Sequence, residues 1–268
     1  FAQNGKQDVT LRQVLTHTAG LLGFAGQRGL LHWDGTGWDD HEAIAAGLAA
    51  APLSWPAGTQ HAYHALSVGW LLGEVVRRVS GRSIGTFFAE EVAGPLGVEA
   101  WLGTPDSELG RVARLHKAST DRLPRPLRNG LAAAVAVARD PDTLTGLTFL
   151  GSGTTSAVEE LEGLFNNPKV LAAELPFGGA TATARGLARL WAVLACGGEL
   201  DGVRVLSAES VERWSRVEIC EPDLLMKEVA MPKLLSSDAG VPRTLGYLGN
   251  GGAGGLPQRF GPVPEAYG

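Results

Sequence analysis

The sequence is poor in cysteine and has neither a long apolar run nor an excess of basic residues. It has two cysteines, Cys196 and Cys220, too few for a disulfide framework, so we expect two buried, reduced thiols, which favours a cytoplasmic location. Its best apolar stretch, Leu131 to Ala138, is far shorter than the roughly 20 residues that span a bilayer, so no membrane span is predicted. A formal net charge of −5 argues against nucleic acid as a partner, because binding phosphates requires a positive surface.

The residues that are present have the composition of a folded chain. Hydrophobic residues make up 44% and charged residues 19% of the 268, which is enough for one substantial core. Strand patterns are short and lie at Val203 to Leu206 and at Arg243 to Leu248. Helix is therefore predicted to predominate over strand. Polar residues suited to cap helices precede apolar segments of helical period at Thr10, Asp40, Ser83, Ser156, Thr183 and Ser207.

Two helices are predicted to lie in the core. Between Leu66 and Val79 the apolar residues recur at helical spacing, and Gly69 and Gly73 line one ridge that allows a neighbour to approach closely. The helix after Thr183 is predicted to turn four apolar side chains inward, namely Leu187, Leu190, Trp191 and Leu194. Glycine and proline are predicted to end three helices, at Gly20, at Gly94 with Pro95, and at Gly197 with Gly198.

Two patterns that suggest other chemistry have a simpler structural interpretation. Gly81 to Gly85 fits the G-x-S-x-G turn of α/β-hydrolases, but Ser83 follows a helical pattern rather than a strand and is predicted to cap a helix. His61 and His64 lie three residues apart without the further convergent ligands of a zinc site, so no metal is predicted. His17 is predicted to fix its loop by hydrogen bonds to the backbone.

The segment from Trp55 to Pro95 joins a loop tyrosine, Tyr63, to a long apolar helix. It resembles the second catalytic segment of the serine β-lactamase and penicillin-binding-protein superfamily, in which a tyrosine opens a Y-x-N motif just before a helix. Here Tyr63, His64 and Ala65 match that motif, so its asparagine is absent. DVTLRQVLTHTAGL at residues 8–21 and TATARGLARLWAVLACGGELDG at residues 181–202 extend the resemblance. The likeness is closest to the β-lactamase-like carboxylesterases.

The resemblance implies an α/β fold of the β-lactamase/transpeptidase type, with the helical part predominating and an incomplete sheet. Residues 1–268 would form one partial β-lactamase-related domain, with residues 243–268 leading into further C-terminal strands. The superfamily's nucleophile is the serine of an S-x-x-K motif, and its third motif is K-T-G or H-T-G. None of these motifs occurs in the sequence. The chain therefore looks like the middle of a longer enzyme, and we expect this piece alone to be inactive.

The resemblance further implies a serine hydrolase that forms an acyl-enzyme on a small-molecule ester or amide and uses no cofactor. Tyr63 would be catalytic. A free tyrosine, with a pKa near ~10, is a poor base at neutral pH, and the superfamily places it beside the lysine of S-x-x-K. His64 and Ala65 would line the substrate pocket. Because an alanine methyl cannot replace the hydrogen bonds of the motif asparagine, we expect an apolar pocket and a carboxylesterase.

Two alternatives remain open at the level of sequence. One is a β-lactamase or D-alanyl carboxypeptidase on the same fold, which would prefer a β-lactam or a peptide to a simple ester. The other is a catalytically inactive homologue that acts as a binding module. An S-x-x-K motif upstream of Phe1 would favour the enzymes, and its absence there would favour the binding module. The sequence assigns no oligomeric state.

Overall fold

The computed structural model describes residues 2–24, 29–32, 34–140, 142–150, 161–229 and 240–249. The helices of its first half are α1 (Leu11–Leu15), α2 (His41–Ala50), α3 (Ser67–Ser80), α4 (Ile84–Phe88), a π-helix (Ala89–Ala93), α5 (Gly94–Leu96) and α6 (Asp106–Leu109). Those of the second half are α7 (Arg125–Ala138), α8 (Leu144–Leu150), α9 (Leu161–Phe165), α10 (Pro168–Ala172), α11 (Ala184–Ala195), α12 (Ala208–Ser215) and α13 (Leu224–Glu228).

The strands of the described residues form three antiparallel pairs. They are β1 (Ala100–Trp101) with β2 (Thr181–Ala182), β3 (Glu199–Leu200) with β4 (Val203–Arg204), and β5 (Ile219–Glu221) with β6 (Val241–Arg243). In the last pair Cys220 lies opposite Pro242. Helix makes up 45% and strand 7% of the structure. The prediction of a mixed fold in which helix predominates is confirmed. No helix among the described residues is long and apolar enough to cross a membrane.

The predicted helix caps are confirmed wherever the structure describes them. Thr10 forms a capping box with Gln13, and the side chains of Asp40, Ser83, Thr183 and Ser207 each accept a hydrogen bond from a backbone N–H of the first turn. Ser83 follows helix α3 rather than a strand, as the capping interpretation requires. Ser156 lies outside the described residues. Local side-chain chemistry is thus sufficient to locate these helix starts.

Two of the predicted helix ends are wrong. Gly20 has the expected left-handed conformation, with φ of 77°, but helix α1 already ends at Leu15, and His17 is left-handed before it, with φ of 59°. The helix that starts after Ser83 does not stop at Gly94 and Pro95. It continues through the π-helix into α5, which contains Pro95, and it ends at Gly97 with φ of 60°. The end of α11 at Gly197 and Gly198 is confirmed, since both have positive φ.

Helix α3 runs through the main core for its first half only. The ring of Trp70 packs edge-on against Phe24 and Phe177, with centroids 5.4 and 4.8 Å away. A Cβ on Gly69 would lie 2.5 Å from the backbone nitrogen of Phe177, so the predicted close approach is confirmed there. Val79, however, is 85% exposed, because the last turns of α3 extend past the core and carry ion pairs from Glu74 to arginines. The predicted burial of this helix is therefore confirmed for its first half and wrong for Val79.

The predicted inward face of helix α11 is confirmed only in part, since Leu190 and Leu194 are half-buried. Leu187 and Trp191 are exposed to 50% and 37%, whereas Gly186 and Val193 are buried. A Cβ at Gly186 would lie 2.7 Å from the carbonyl oxygen of Glu99, so the backbone of α11 approaches its neighbour on the glycine side. The helix is positioned by this close contact instead of by its leucines.

Neither cysteine forms a disulfide among the described residues, as predicted, but both are exposed and not buried. Cys196 follows the last turn of α11, and Cys220 is the middle residue of β5.

Candidate functional site

Tyr63 lies in an extended segment that neighbouring backbone holds on both sides. On one side the backbone N–H of Ala62 donates to the carbonyl oxygen of His17 at 3.2 Å. On the other side the N–H of Leu224 donates to the carbonyl oxygen of His61 at 3.0 Å. The tyrosine segment is thus fixed between the loop after α1 and the start of α13, immediately before α3 begins at Ser67.

The ring of Tyr63 is half-buried and has a defined orientation. The imidazole of His17 meets it edge-on at a centroid distance of 4.8 Å, and the guanidinium carbon of Arg243 lies 5.1 Å from its centroid. Among the described residues, the phenol hydroxyl has no hydrogen-bond partner. The surroundings therefore fix the plane of the ring and leave its oxygen free to act on another group.

A buried ionic network lies next to this ring. Arg243 is 7% exposed and Asp223 is 2% exposed. The Nη2 of Arg243 donates to Oδ2 of Asp223 at 3.3 Å, and its Nε donates to Nε2 of His61 at 3.2 Å. The other oxygen of Asp223, Oδ1, accepts from the backbone N–H of Leu225 at 3.0 Å and of Tyr63 at 3.4 Å. One carboxylate thus joins α13, the tyrosine segment and β6.

The network fixes the tautomer of His61. Because Nε2 accepts from Arg243, the ring proton is on Nδ1, which donates to the carbonyl oxygen of Glu221 at 3.3 Å. Burial lowers the pKa of His61, and the positive charge of Arg243 lowers it further, although Asp223 opposes both. His61 is therefore neutral at neutral pH and acts as a hydrogen-bond relay within the network.

His64 and Ala65 lie behind the tyrosine, toward the core. His64 is buried, with Nε2 donating to the carbonyl oxygen of Val14 at 3.1 Å and Nδ1 lying 3.1 Å from the hydroxyl of Ser67. Burial lowers its pKa to about 4. Ala65 is also buried and presents only its methyl group. These contacts tie the start of α3 to the loop that precedes it, and contact of either residue with substrate stays a prediction.

His17 does not have the hydrogen bonds predicted for it. Its Nδ1 is buried without a partner among the described residues, and its ring instead contacts the rings of Tyr63 and His64, the latter at 4.6 Å. The loop is fixed by main-chain bonds, including the one that Ala62 donates to His17. Burial lowers the pKa of His17, and the nearby His64 and Arg243 lower it further.

The sequence prediction missed Asp223 and Arg243, the two charged residues of the site. Arg243 lies 182 positions from the histidine that it contacts, so no local pattern links them. One signal was present, because an arginine inside a short apolar strand pattern is expensive to bury unless it is paired. His61 and His64, although three residues apart, contact different groups. His61 faces Arg243, while His64 faces Val14 and Ser67.

Comparison with known proteins places the chain in a family. The model of the family described as Beta-lactamase matches residues 1–259. The chain belongs to the beta-lactamase family. It is 34% identical over 220 residues to the esterase/beta-lactamase LipL of Mycobacterium tuberculosis, a match that covers 81% of this chain and 47% of LipL. The superfamily predicted from the Tyr63 segment is thereby confirmed.

Solved structures of the family support the same fold. A penicillin-binding-protein homologue from Caulobacter crescentus matches all of this chain and 61% of its own, with a TM-score of 0.72 and 29% identity. A family VIII carboxylesterase matches 98% of this chain and 60% of its own, with a TM-score of 0.71 and 29% identity. The chain has the β-lactamase/transpeptidase-like fold, and it spans about half the length of LipL and three fifths of these two structures.

Neutral, buried histidines around Tyr63 predict that the fold is sensitive to acid. An unfolded histidine has a pKa near ~6.5, whereas the folded pKa of His64 is about 4. Between these values the unfolded state binds more protons, so the contribution of His64 is fully present above pH ~6.5 and is lost as the pH falls toward 4. At about 1.4 kcal/mol per unit, the loss amounts to roughly 3 kcal/mol. Urea unfolding at several pH values between 7.5 and 4.5 measures it.

The variant His64→Gln isolates this contribution, because glutamine keeps a donor and an acceptor but does not titrate. We expect the free energy of unfolding of His64→Gln to fall less steeply than that of the parent below pH 6.5. The matched control is His116→Gln, since His116 is an exposed histidine, and its slope should equal that of the parent. An unchanged slope in His64→Gln would show that other groups cause the acid sensitivity.

Proposed function

We propose that the full-length protein is a serine hydrolase, specifically a carboxylesterase that forms an acyl-enzyme on small-molecule esters. Residues 1–268 belong to its β-lactamase-related domain. The observation that carries the proposal is the placement of Tyr63, which occupies the family's second motif with its ring fixed on both sides and its hydroxyl without a partner among the described residues. The names of LipL and of the family VIII carboxylesterase support an ester as the substrate.

In this mechanism Tyr63 carries a proton in both directions. Tyr63 would start as a phenolate, which the positive charge of the S-x-x-K lysine favours in the superfamily. The serine oxygen bonds to the ester carbonyl carbon while the phenolate of Tyr63 takes the serine proton, and the resulting phenol then gives that proton to the departing alkoxide as the carbon–oxygen bond breaks. Water repeats the sequence on the acyl-serine and releases the acid. The nucleophilic serine is supplied by polypeptide outside residues 1–268, because no S-x-x-K motif occurs within them.

Ala65 supports an ester over a β-lactam or a peptide. The residue is buried and offers no donor or acceptor beyond its backbone, so an acylamide group of the substrate would lose the hydrogen bonds that a side-chain amide gives at this position. A pocket without such a partner selects weakly among apolar groups. We therefore propose broad specificity for short, apolar acyl chains, with His64 supporting the segment from behind.

The test compares p-nitrophenyl butyrate with nitrocefin on the full-length protein. We expect kcat/KM to be at least ~10-fold higher for the ester, since the site lacks an amide partner for the β-lactam. A fluorophosphonate should label one serine, which mass spectrometry should find outside residues 1–268. Preference for nitrocefin would favour the β-lactamase alternative, and absence of both activities would favour a binding module. The isolated 268-residue chain is expected to be inactive, which detectable ester hydrolysis would contradict.

A further inference from the structure

The guanidinium of Arg243 contacts three groups of the described residues, which come from two separate parts of the chain. Its Nε donates to His61, two residues before Tyr63, and its Nη2 donates to Asp223 at the start of α13. Its guanidinium carbon also lies 5.1 Å from the centroid of the Tyr63 ring. A guanidinium has a planar fork of donors and a face that stacks on aromatic rings, so one arginine can make all three contacts at once.

Such a network is a costly way to stabilise a fold. Taking an arginine and a carboxylate out of water carries a desolvation penalty that their attraction often fails to exceed, and apolar side chains of similar size stabilise as well or better. Arg243 and Asp223 are nevertheless buried, and their partners include both the ring and the backbone N–H of Tyr63. The desolvation penalty of burying Arg243 and Asp223 is explained if their contacts serve the function of Tyr63.

We propose that Arg243 is a positioning residue for Tyr63, a proposal that rests on the proposed function of Tyr63 in proton transfer. The ring of Tyr63 is held between the imidazole edge of His17 and the guanidinium of Arg243, at centroid distances of 4.8 and 5.1 Å. These two groups, together with the buried apolar cluster against which Tyr63 also packs, set the plane of the ring and therefore the direction of its hydroxyl. Asp223 and His61 in turn hold the guanidinium in place.

The network also ties the ring to the backbone that carries it. Asp223 accepts from the backbone N–H of Tyr63 with one oxygen and from Arg243 with the other. The same carboxylate thus holds the main chain of Tyr63 directly and the ring of Tyr63 through Arg243. A displacement of about 1 Å at a reacting group can cost 10²-fold in rate, so an arrangement of this kind bears on kcat more than on KM.

The test is a double-mutant cycle between Arg243 and Tyr63 in the full-length protein, with p-nitrophenyl butyrate as substrate. We expect Arg243→Met to lower kcat by roughly 10- to 100-fold and to change KM by less than about 2-fold, because the ring loses the guanidinium that lies over it. In a Tyr63→Phe background the same substitution should lower kcat by less than about 2-fold, because no hydroxyl remains to be oriented. The matched control is Arg216→Met, which removes an arginine from an exposed ion pair with Glu212 and should leave kcat unchanged.

Arg243→Lys covers the case in which the methionine variant does not fold, as judged by circular dichroism. Lysine keeps the charge but lacks the planar fork, so kcat should still fall by about 5-fold or more, again only when Tyr63 is present. Equal losses of kcat in the parent and in the Tyr63→Phe background would mean a general structural effect and would overturn the proposal, as would an unchanged kcat in both Arg243 variants. An active Tyr63→Phe enzyme would instead refute the proposed function.

Discussion

Replacing Tyr63 with phenylalanine is expected to lower kcat for ester hydrolysis by the full-length protein by about 10²- to 10⁴-fold, the range typical of a lost acid–base group. The substitution removes one oxygen and keeps the ring, so the contacts with His17 and Arg243 persist and the fold should be preserved. KM should change little, because the hydroxyl takes part in proton transfer and does not contribute to binding of the ester. Steady-state kinetics with p-nitrophenyl butyrate measures both constants.

The matched control for this experiment is Tyr247→Phe. Tyr247 stacks edge-on against Trp214 at a centroid distance of 4.6 Å, and phenylalanine retains that contact. Its kcat should remain within about 2-fold of the parent, since its half-buried ring packs against Trp191 and Trp214 rather than against Tyr63. If Tyr63→Phe behaves like Tyr247→Phe, the proton-transfer role belongs to another group and the assignment of Tyr63 is wrong.

Helix starts could be predicted from the sequence because their chemistry is local. Thr10, Thr183 and Ser207 each satisfy an N–H of the first turn within three residues, so the signal lies within one short window. The ends of α1 and α5 could not be predicted in the same way. A left-handed conformation at His17 depends on the main-chain bond that its carbonyl oxygen accepts from Ala62, which comes from a different part of the chain.

Burial could be predicted only where periodicity and tertiary contact agree. Trp70 lies in the core because Phe24 and Phe177 surround it, whereas Val79 continues the same helical pattern beyond the last neighbour and is exposed. On α11 the close approach at Gly186 selects the packing face and leaves Leu187 in solvent. A hydrophobic period indicates which residues share a face, but the neighbouring element decides whether that face is covered.

The candidate site, too, could be predicted from the sequence only in part. Tyr63 was identified from a short motif beside a helix, and the structure adds the residues that hold it, since Asp223 and Arg243 come from the other end of the described chain. Their pairing depends on β5 and β6 lying side by side, with Ile219 opposite Arg243. A charged residue in an apolar strand pattern indicates a buried partner, but only the sheet register identifies that partner.

Replacing Asp223 with alanine is expected to lower the free energy of unfolding by about 3–5 kcal/mol, the cost of leaving one member of a buried ion pair without the other. The substitution removes the carboxylate that accepts from the Nη2 of Arg243, a residue that is 7% exposed. It also removes the acceptor for the backbone N–H groups of Leu225 and Tyr63. Urea unfolding of the full-length protein followed by circular dichroism measures the loss.

Two further variants separate the loss of the ion pair from the loss of the hydrogen bonds to the backbone. The double variant Asp223→Ala with Arg243→Met should be more stable than Asp223→Ala alone, because it also removes the buried charge that Asp223 balances. Glu212→Ala is the surface control, since it breaks an exposed ion pair with Arg216 and should cost under about 0.5 kcal/mol. If the double variant is no more stable than Asp223→Ala, the stabilisation by Asp223 comes from its bonds to the backbone, and the charge of Arg243 is compensated without it.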